Sequence, residues 1–203
     1  MKRKRGTGLI VLGLMLLMAA ASLAGYNLLQ DQQAAQTAGS TLQQLQQTIP
    51  VVPPETVEDT PVPDYVTAPG KEMPVVRIDG RDYVGTLSLP ALDLELPVIS
   101  RWSYSGLLVA PCRYTGSAYT NDLVIAAHNY TSHFGRLREL QIGDAVTFTD
   151  FDGNVFTYRV DAKEILPPTA VEEMTCGDWA LSLFTCTPGG ANRVTIRCEL
   201  IEP

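Results

Sequence analysis

Positive charge is scarce in this chain once its first residues are set aside. Of 15 Lys and Arg, four lie in the opening MKRKR, leaving 11 basic side chains against 22 acidic ones. No Lys/Arg stripe remains that could displace counterions from phosphates, which excludes nucleic acid as a partner. Histidine is scarcer still, with only His128 and His133 available for acid/base work near neutral pH. The four cysteines include no Cys-x-x-Cys pair, so the usual spacing of a structural zinc site is missing. No long internal period recurs, which removes solenoids and propellers. At 203 residues there is room for one ordinary domain with accessories.

What is present divides into four parts. Residues 1–5 are a basic tail, and residues 6–25, GTGLIVLGLMLLMAAASLAG, carry no charge. About 20 apolar residues span a hydrocarbon core of roughly 30 Å, and the run is longer than a usual signal-peptide core. With no polar face it does not suit a buried core helix either. The expectation is an uncleaved transmembrane anchor, with Lys2 to Arg5 cytoplasmic and the body of the chain extracellular at the cell membrane. Residues 26–74 begin as a Gln- and Ala-rich, weakly helical stalk, expected to break near Gly39-Ser40. They continue through Pro50, Pro53, Pro54, Pro61, Pro63, Pro69 and Pro74, a density that predicts an extended spacer.

From residue 75 to 203 the pattern becomes short β-rich runs: VVRI, YVGTLSL, LELPVI, LVIAA, AVTFTD, VFTYRVDAKEIL, ALSLFTC and RVTIRCELI. Asp79-Gly80, Asp152-Gly153 and Gly189-Gly190 mark turns between several of them. These runs predict a mostly β domain, a barrel or a sandwich. One or two short helices are expected, over Phe134 to Leu140 and over Thr169 to Met174 behind Pro167-Pro168.

Candidate chemistry concentrates at strand ends. His128 closes the apolar run DLVIAAH, where a β scaffold exposes a titratable group, although a lone histidine is more often structural. Cys186 ends ALSLFTC and is followed by Thr187-Pro188-Gly189-Gly190, so its thiol is expected to emerge where a strand meets an open loop. Cys112, Cys176 and Cys198 read as small buried hydrophobes or disulfide partners, with Cys112 pairing either Cys198 or Cys176. Arg193 opens the next strand, where it reads either as a cation near enough to the thiol to donate to an oxyanion or as a solvated strand-edge charge pairing with the acidic surface. Arg197 lies four residues further, roughly 13 Å along the strand. It is expected to be a solvated charge remote from the site.

Taken together these pieces resemble the sortases, cysteine transpeptidases on the exterior of Gram-positive cells. YVGTLSLPALDLELPV is similar to the family's opening Gly-x-x-x-Ile-Pro strand pair, with Leu89-Pro90 in the place of Ile-Pro. DLVIAAHN resembles the strand ending in the catalytic histidine, and FGRLRELQIGDAVTFTDFDGNVFTYRV the helix, Gly-Asp and hairpin that follow. SLFTC is similar to the Thr-Leu-x-Thr-Cys signature, and RVTIRCEL to the strand opened by the catalytic arginine.

The resemblance implies a closed eight-stranded β-barrel with His128, Cys186 and Arg193 in the three catalytic positions. Thr185 and Asn129 would stand beside them as substrate contacts. It implies cleavage of an LPxTG-like sorting signal on secreted proteins through a thioacyl-enzyme, with transfer to an amine of peptidoglycan or a pilin lysine. No metal or organic cofactor is needed. The short connection from Cys186 to Arg193 and the lack of an Asp-Pro-Trp or Asp-Pro-Phe lid motif leave housekeeping anchoring, pilus polymerisation and specialised roles open, with a class B or D-like member as one reading. L,D-transpeptidases carry Ser-x-Gly-Cys where this chain has Phe-Thr-Cys, and papain-like peptidases reverse the order of Cys and His. The non-enzymatic alternative is a membrane-tethered β-barrel binding module.

Overall fold

The computed structural model describes residues 3–49, 62–68, 70–176 and 178–201. The proline-rich stretch 50–61 and the first two residues of the basic tail lie outside the described residues. The chain forms two compact units, Met1–Gln33 and Ala34–Pro203. The first unit is helical, part of α1 (Arg3–Gln46), and the stretch from Gly8 is long and apolar enough to cross a membrane.

The second unit is built on nine strands. They are β1 (Val76–Ile78), β2 (Arg81–Leu89), β3 (Leu94–Ile99), β4 (Cys112–Thr115) and β5 (Leu123–Ala126), then β6 (Ala145–Asp150), β7 (Val155–Leu166), β8 (Leu181–Cys186) and β9 (Arg193–Leu200). Their order is β1-β2-β3-β4-β5-β8-β9-β7-β6, and a further β2–β6 pairing closes β2 to β9 into an eight-stranded barrel. β1 lies outside the closure as a hairpin partner of β2. Its turn, Asp79-Gly80, has positive φ at both residues, which suits the twist of a tight hairpin. The β3–β4 and β5–β8 pairs are parallel, and the rest are antiparallel.

At the β2–β6 seam Gly85 is paired with Asp150, and a Cβ at Gly85 would lie 2.3 Å from the Thr149 carbonyl oxygen. Only glycine admits the neighbouring backbone there. Inside the barrel, alternate residues such as Leu87, Val98, Ile125, Phe148, Leu183 and Ile196 form the main core.

Eight of the nine strands coincide with the β-rich runs of the sequence. β4, CRYT, is the addition: short and polar, it is a strand because β3 and β5 hold its edges. Short helices decorate the barrel, including α2 (Asp64–Thr67), α3 (Tyr104–Leu107) and α4 (Val171–Thr175). The helix expected over Phe134 to Leu140 is instead a run of turns with a 3-10 segment at Leu137–Glu139. Phe134, Leu137 and Leu140 are fully buried at three-residue spacing, the period of the tighter helix.

α1 continues through Gly39-Ser40, where the sequence suggests a break. Ala34, Ala38, Thr41 and Leu45 are buried at i, i+4, i+7 and i+11, so one stripe of mostly small side chains packs within the barrel unit and overrides the weak propensity at Gly39. Leu45 joins Tyr83, Ile99, Cys112 and Phe151 in a second apolar cluster. Met73 belongs to the main core, and Tyr65 stacks on Tyr119 with ring centroids 4.5 Å apart. The described parts of 34–74 are therefore packed structure rather than spacer alone.

Candidate functional site

Three adjacent strands bring the candidate residues into one row. In the parallel β5–β8 pair Ala126 faces Phe184, and the Ala127 amide donates to the Phe184 carbonyl at 3.1 Å. Two residues beyond each partner stand His128 and Cys186. Across the antiparallel β8–β9 pair Cys186 faces Arg193 directly. At a strand spacing of about 4.8 Å, the thiol has an imidazole strand on one side and a guanidinium strand on the other. The Thr185 hydroxyl, buried, donates to the Ala127 carbonyl at 2.9 Å and so ties the ends of β5 and β8 together.

Each of the three is held in place locally. Residues Thr187 to Asn192 close on themselves: the Thr187 amide donates to the Asn192 carbonyl at 2.9 Å, and the Asn192 amide to Thr187 Oγ1 at 3.0 Å. Arg193 Nη1 donates to the carbonyls of Gly190 and Asn192, each at 3.1 Å, which anchors the guanidinium over this loop. After His128 the chain folds back, with the Phe134 amide donating to the His128 carbonyl and the Gly135 amide to that of Tyr130. A Cβ at Gly135 would lie 2.7 Å from the carbonyl oxygens of Asn129 and Tyr130, so a side chain there would displace the segment carrying His128. The His128 ring stacks on Tyr130, centroids 4.7 Å apart. Burial lowers the His128 pKa below its ordinary 6.5, which favours a neutral imidazole able to accept a proton.

A groove of about 280 Å³ holds all three side chains. Its floor is the outer face of the barrel, where Val124, Ala126, Met174 and Phe184 form a separate apolar cluster. One wall is aromatic: Trp102 contacts Tyr104 and Tyr114 edge-on, and Tyr114 contacts Phe184, at centroid distances of 4.8, 5.8 and 5.3 Å. α3 carries part of this wall, and its Ser103 cap accepts from the Gly106 amide. The opposite wall is Pro168, Val171 and Met174. Past Trp102 and Tyr114 lies a wider, more polar groove of about 870 Å³ that these two residues share. The narrow groove is lined mostly by apolar and aromatic side chains, with Cys186, His128 and Arg193 among them.

Of the residues expected at the site, His128, Cys186, Arg193 and Thr185 line the groove, whereas Asn129 is exposed and outside its lining. His133 is fully buried and its ring packs against Tyr130. All four cysteines are free thiols, so no disulfide joins Cys112 to Cys176 or Cys198. Cys112 and Cys198 are buried, and burial pushes their thiols up to about 11 and about 12, which keeps them protonated and unreactive.

Arg197 departs from expectation. It does lie on the same outer face of β9 as Arg193, but the connection bearing α4 covers it, and it is 2% exposed rather than solvated. The walls themselves, Trp102, Tyr114, Val171 and Met174, do not stand out in the sequence. The clustered aromatics of WSY are a usable signal for Trp102, but β4, which supplies Tyr114, gives none.

The chain matches the family model described as the sortase domain over residues 87–201, more than half its length. No curated protein matches it. Among solved structures, the pilus-related sortase C of Group B Streptococcus is 22% identical with a TM-score of 0.54, covering 62% of this chain and 70% of that one. Sortase C of Streptococcus pneumoniae is 24% identical at a TM-score of 0.53, covering 60% and 70%. The Clostridium perfringens sortase D5 transpeptidase is 18% identical at 0.53, covering 60% and 80%. At these identities the likeness is one of fold.

Proposed function

The chain belongs to the sortase family, and from that premise we propose that it is a membrane-anchored cysteine transpeptidase acting on LPxTG-like sorting signals. The observation that carries this reading is the row of His128, Cys186 and Arg193 across three neighbouring strands, opening into one groove. In the proposed reaction Cys186 Sγ attacks the carbonyl carbon of the signal's threonine while neutral His128 takes the thiol proton. The guanidinium of Arg193 stabilises the oxyanion. Collapse of the intermediate breaks the peptide C–N bond, His128 returns its proton to the leaving amine, and a thioester remains on Cys186. An amine of peptidoglycan or of a pilin lysine then attacks the thioester and gives a proton to His128; the C–S bond breaks as the new amide forms, and His128 passes the proton to the departing Cys186 sulfur, restoring the thiol. Thr185 flanks the path of the peptide within the groove, and Asn129, exposed and outside its lining, would meet only a part of the peptide that lies beyond the groove. Residues 6–25 anchor the enzyme, with residues 1–5 cytoplasmic and the catalytic domain outside.

The test is incubation of the full chain in detergent with a library of sorting peptides and an amine donor. A thioester on Cys186 and a transferred product are expected in mass spectra. A thioester on another cysteine sinks the site assignment, and peptide binding without any acyl-enzyme favours the binding-module alternative. Protease added to intact protoplasts should digest the domain, whereas an intact domain found only in the medium would identify residues 6–25 as a cleaved signal.

A further inference from the structure

Arg197 is the largest fully buried side chain of the described residues, and it occupies none of the groove. Its guanidinium is engaged at every nitrogen. Nε donates to Glu164 Oε2 at 2.9 Å, and Nη1 to Ser182 Oγ at 2.9 Å and to the Met174 carbonyl at 3.1 Å. Nη2 donates to the Glu173 carbonyl. Two of these acceptors are consecutive backbone carbonyls in the last turn of α4, the groups a helix leaves without internal partners. The last helical bond within this turn runs from the Cys176 amide to the Glu172 carbonyl, so Arg197 takes over where the helix stops.

A five-residue helix does not hold itself together, because nucleation costs more than one turn of hydrogen bonds returns. α4 is fixed by what it touches. On one side Met174 packs against Val124, Ala126 and Phe184. On the other, Arg197 binds α4 to β9, to Ser182 of β8 and to Glu164 of β7. Val171 and Met174 of this same helix form the groove wall facing Trp102 and Tyr114. Four residues along β9 from Arg193, the side chain is roughly 13 Å from the row at Cys186, too far to touch a reacting carbonyl.

We propose that Arg197 is a positioning residue that sets the α4 wall of the peptide groove, and thereby the enzyme's hold on the apolar part of its sorting signal. This rests on the transpeptidase reading above. Arginine is chemically suited to that role, since a planar fork with five donors fixes several acceptors in one geometry, which a lysine's single ammonium cannot. Exchanging both members of a buried pair for apolar bulk is often neutral, whereas removing one partner alone leaves the other charge uncompensated unless water reaches it. Glu164 is 40% exposed and is solvated when its partner is removed.

The experiment compares wild type, Arg197→Met, Arg197→Lys and Ser182→Ala as full chains in detergent. Hydrogen exchange of the 171–176 amides should accelerate in Arg197→Met while β8 and β9 keep their protection. The KM for a sorting peptide should rise about tenfold with kcat within about twofold, the pattern of lost ground-state and transition-state binding together. Alkylation of Cys186 by iodoacetamide, which needs no peptide wall, should proceed at the wild-type rate. Arg197→Lys should rescue only part of the KM, and Ser182→Ala, which leaves the charge paired, should shift KM the same way by less. Unchanged exchange in α4, or an unchanged KM, overturns the proposal. Equal losses in alkylation and peptide turnover also overturn it, by showing general damage rather than a displaced wall. If wild type forms no thioester, the transpeptidase reading fails, while the exchange data still decide whether Arg197 fixes α4.

Discussion

The two faces of the β8–β9 hairpin are built from alternate residues of the same strands, yet they answer to different constraints. Inward, Leu181, Leu183, Val194, Ile196 and Cys198 join the main core. Outward, Phe184 meets Tyr114, Arg193 is held by its loop, and Arg197 is held by α4, Ser182 and Glu164. The inner face needs volume; the outer face needs particular neighbours. Stability and chemistry are separated by one step along the chain, because a strand turns successive side chains to opposite faces.

The largest effect should come from the outer face. Cys186→Ala is expected to abolish thioester formation on a sorting peptide with the melting temperature unchanged, read by mass spectrometry and circular dichroism; residual thioester would detach the chemistry from the row. Arg193→Ala comes next. Losing a transition-state donor costs about 3 to 4 kcal/mol, or roughly 10² to 10³ in kcat/KM on a fluorogenic sorting peptide. A loss below tenfold would make Arg193 a loop anchor only.

The inner face supplies the converse. Ile196→Ala should cost about 2 to 5 kcal/mol in denaturant unfolding, from lost burial and the cavity left behind. The iodoacetamide rate at Cys186 in the remaining folded protein should not change. A changed rate there would show that the two faces are coupled.

The smallest effect concerns pH. Because burial lowers the native pKa of His128 below 6.5, the unfolded chain binds more protons than the native one between that lowered value and 6.5. Stability from this group is therefore full above pH 6.5 and declines as pH falls through 6.5 toward the native pKa, with no further loss below it. The imidazole resonance should titrate below 6.5 in the folded protein, and His128→Gln should flatten the stability slope in that window. A midpoint at or above 6.5 would contradict the burial argument.

Much of this is legible in the sequence because it rests on local pattern. The β-branched runs mark eight strands, and Asp79-Gly80 and Gly189-Gly190 mark turns that set pairing around the barrel. The row at Cys186 is foreshadowed by two strand ends and a short Gly-rich connection. What escapes depends on contacts between distant segments. Residues 34–46 look like stalk, since their buried stripe is mostly alanine and threonine, small enough to pack closely but too weakly apolar to stand out. CRYT becomes β4 only between β3 and β5. Arg197 looks like a solvated charge because nothing local announces that α4 will lie over it. A soluble form of the domain should accordingly begin near Ala34, since one starting at Pro74 loses Leu45, Tyr65 and Met73 from its packing.

β9 follows every other barrel strand in the chain, yet its place is in the middle of the sheet, between β8 and β7. However the polypeptide is delivered, from its N-terminus onward, the sheet remains split along that line until residues 193–200 are available. The earlier strands can pair at the β2–β6 seam, but the gap leaves the β8 edge open and Cys186 without a neighbour opposite. The thiol therefore gains its arginine only when the barrel is complete, so a half-delivered domain carries a cysteine but no assembled site.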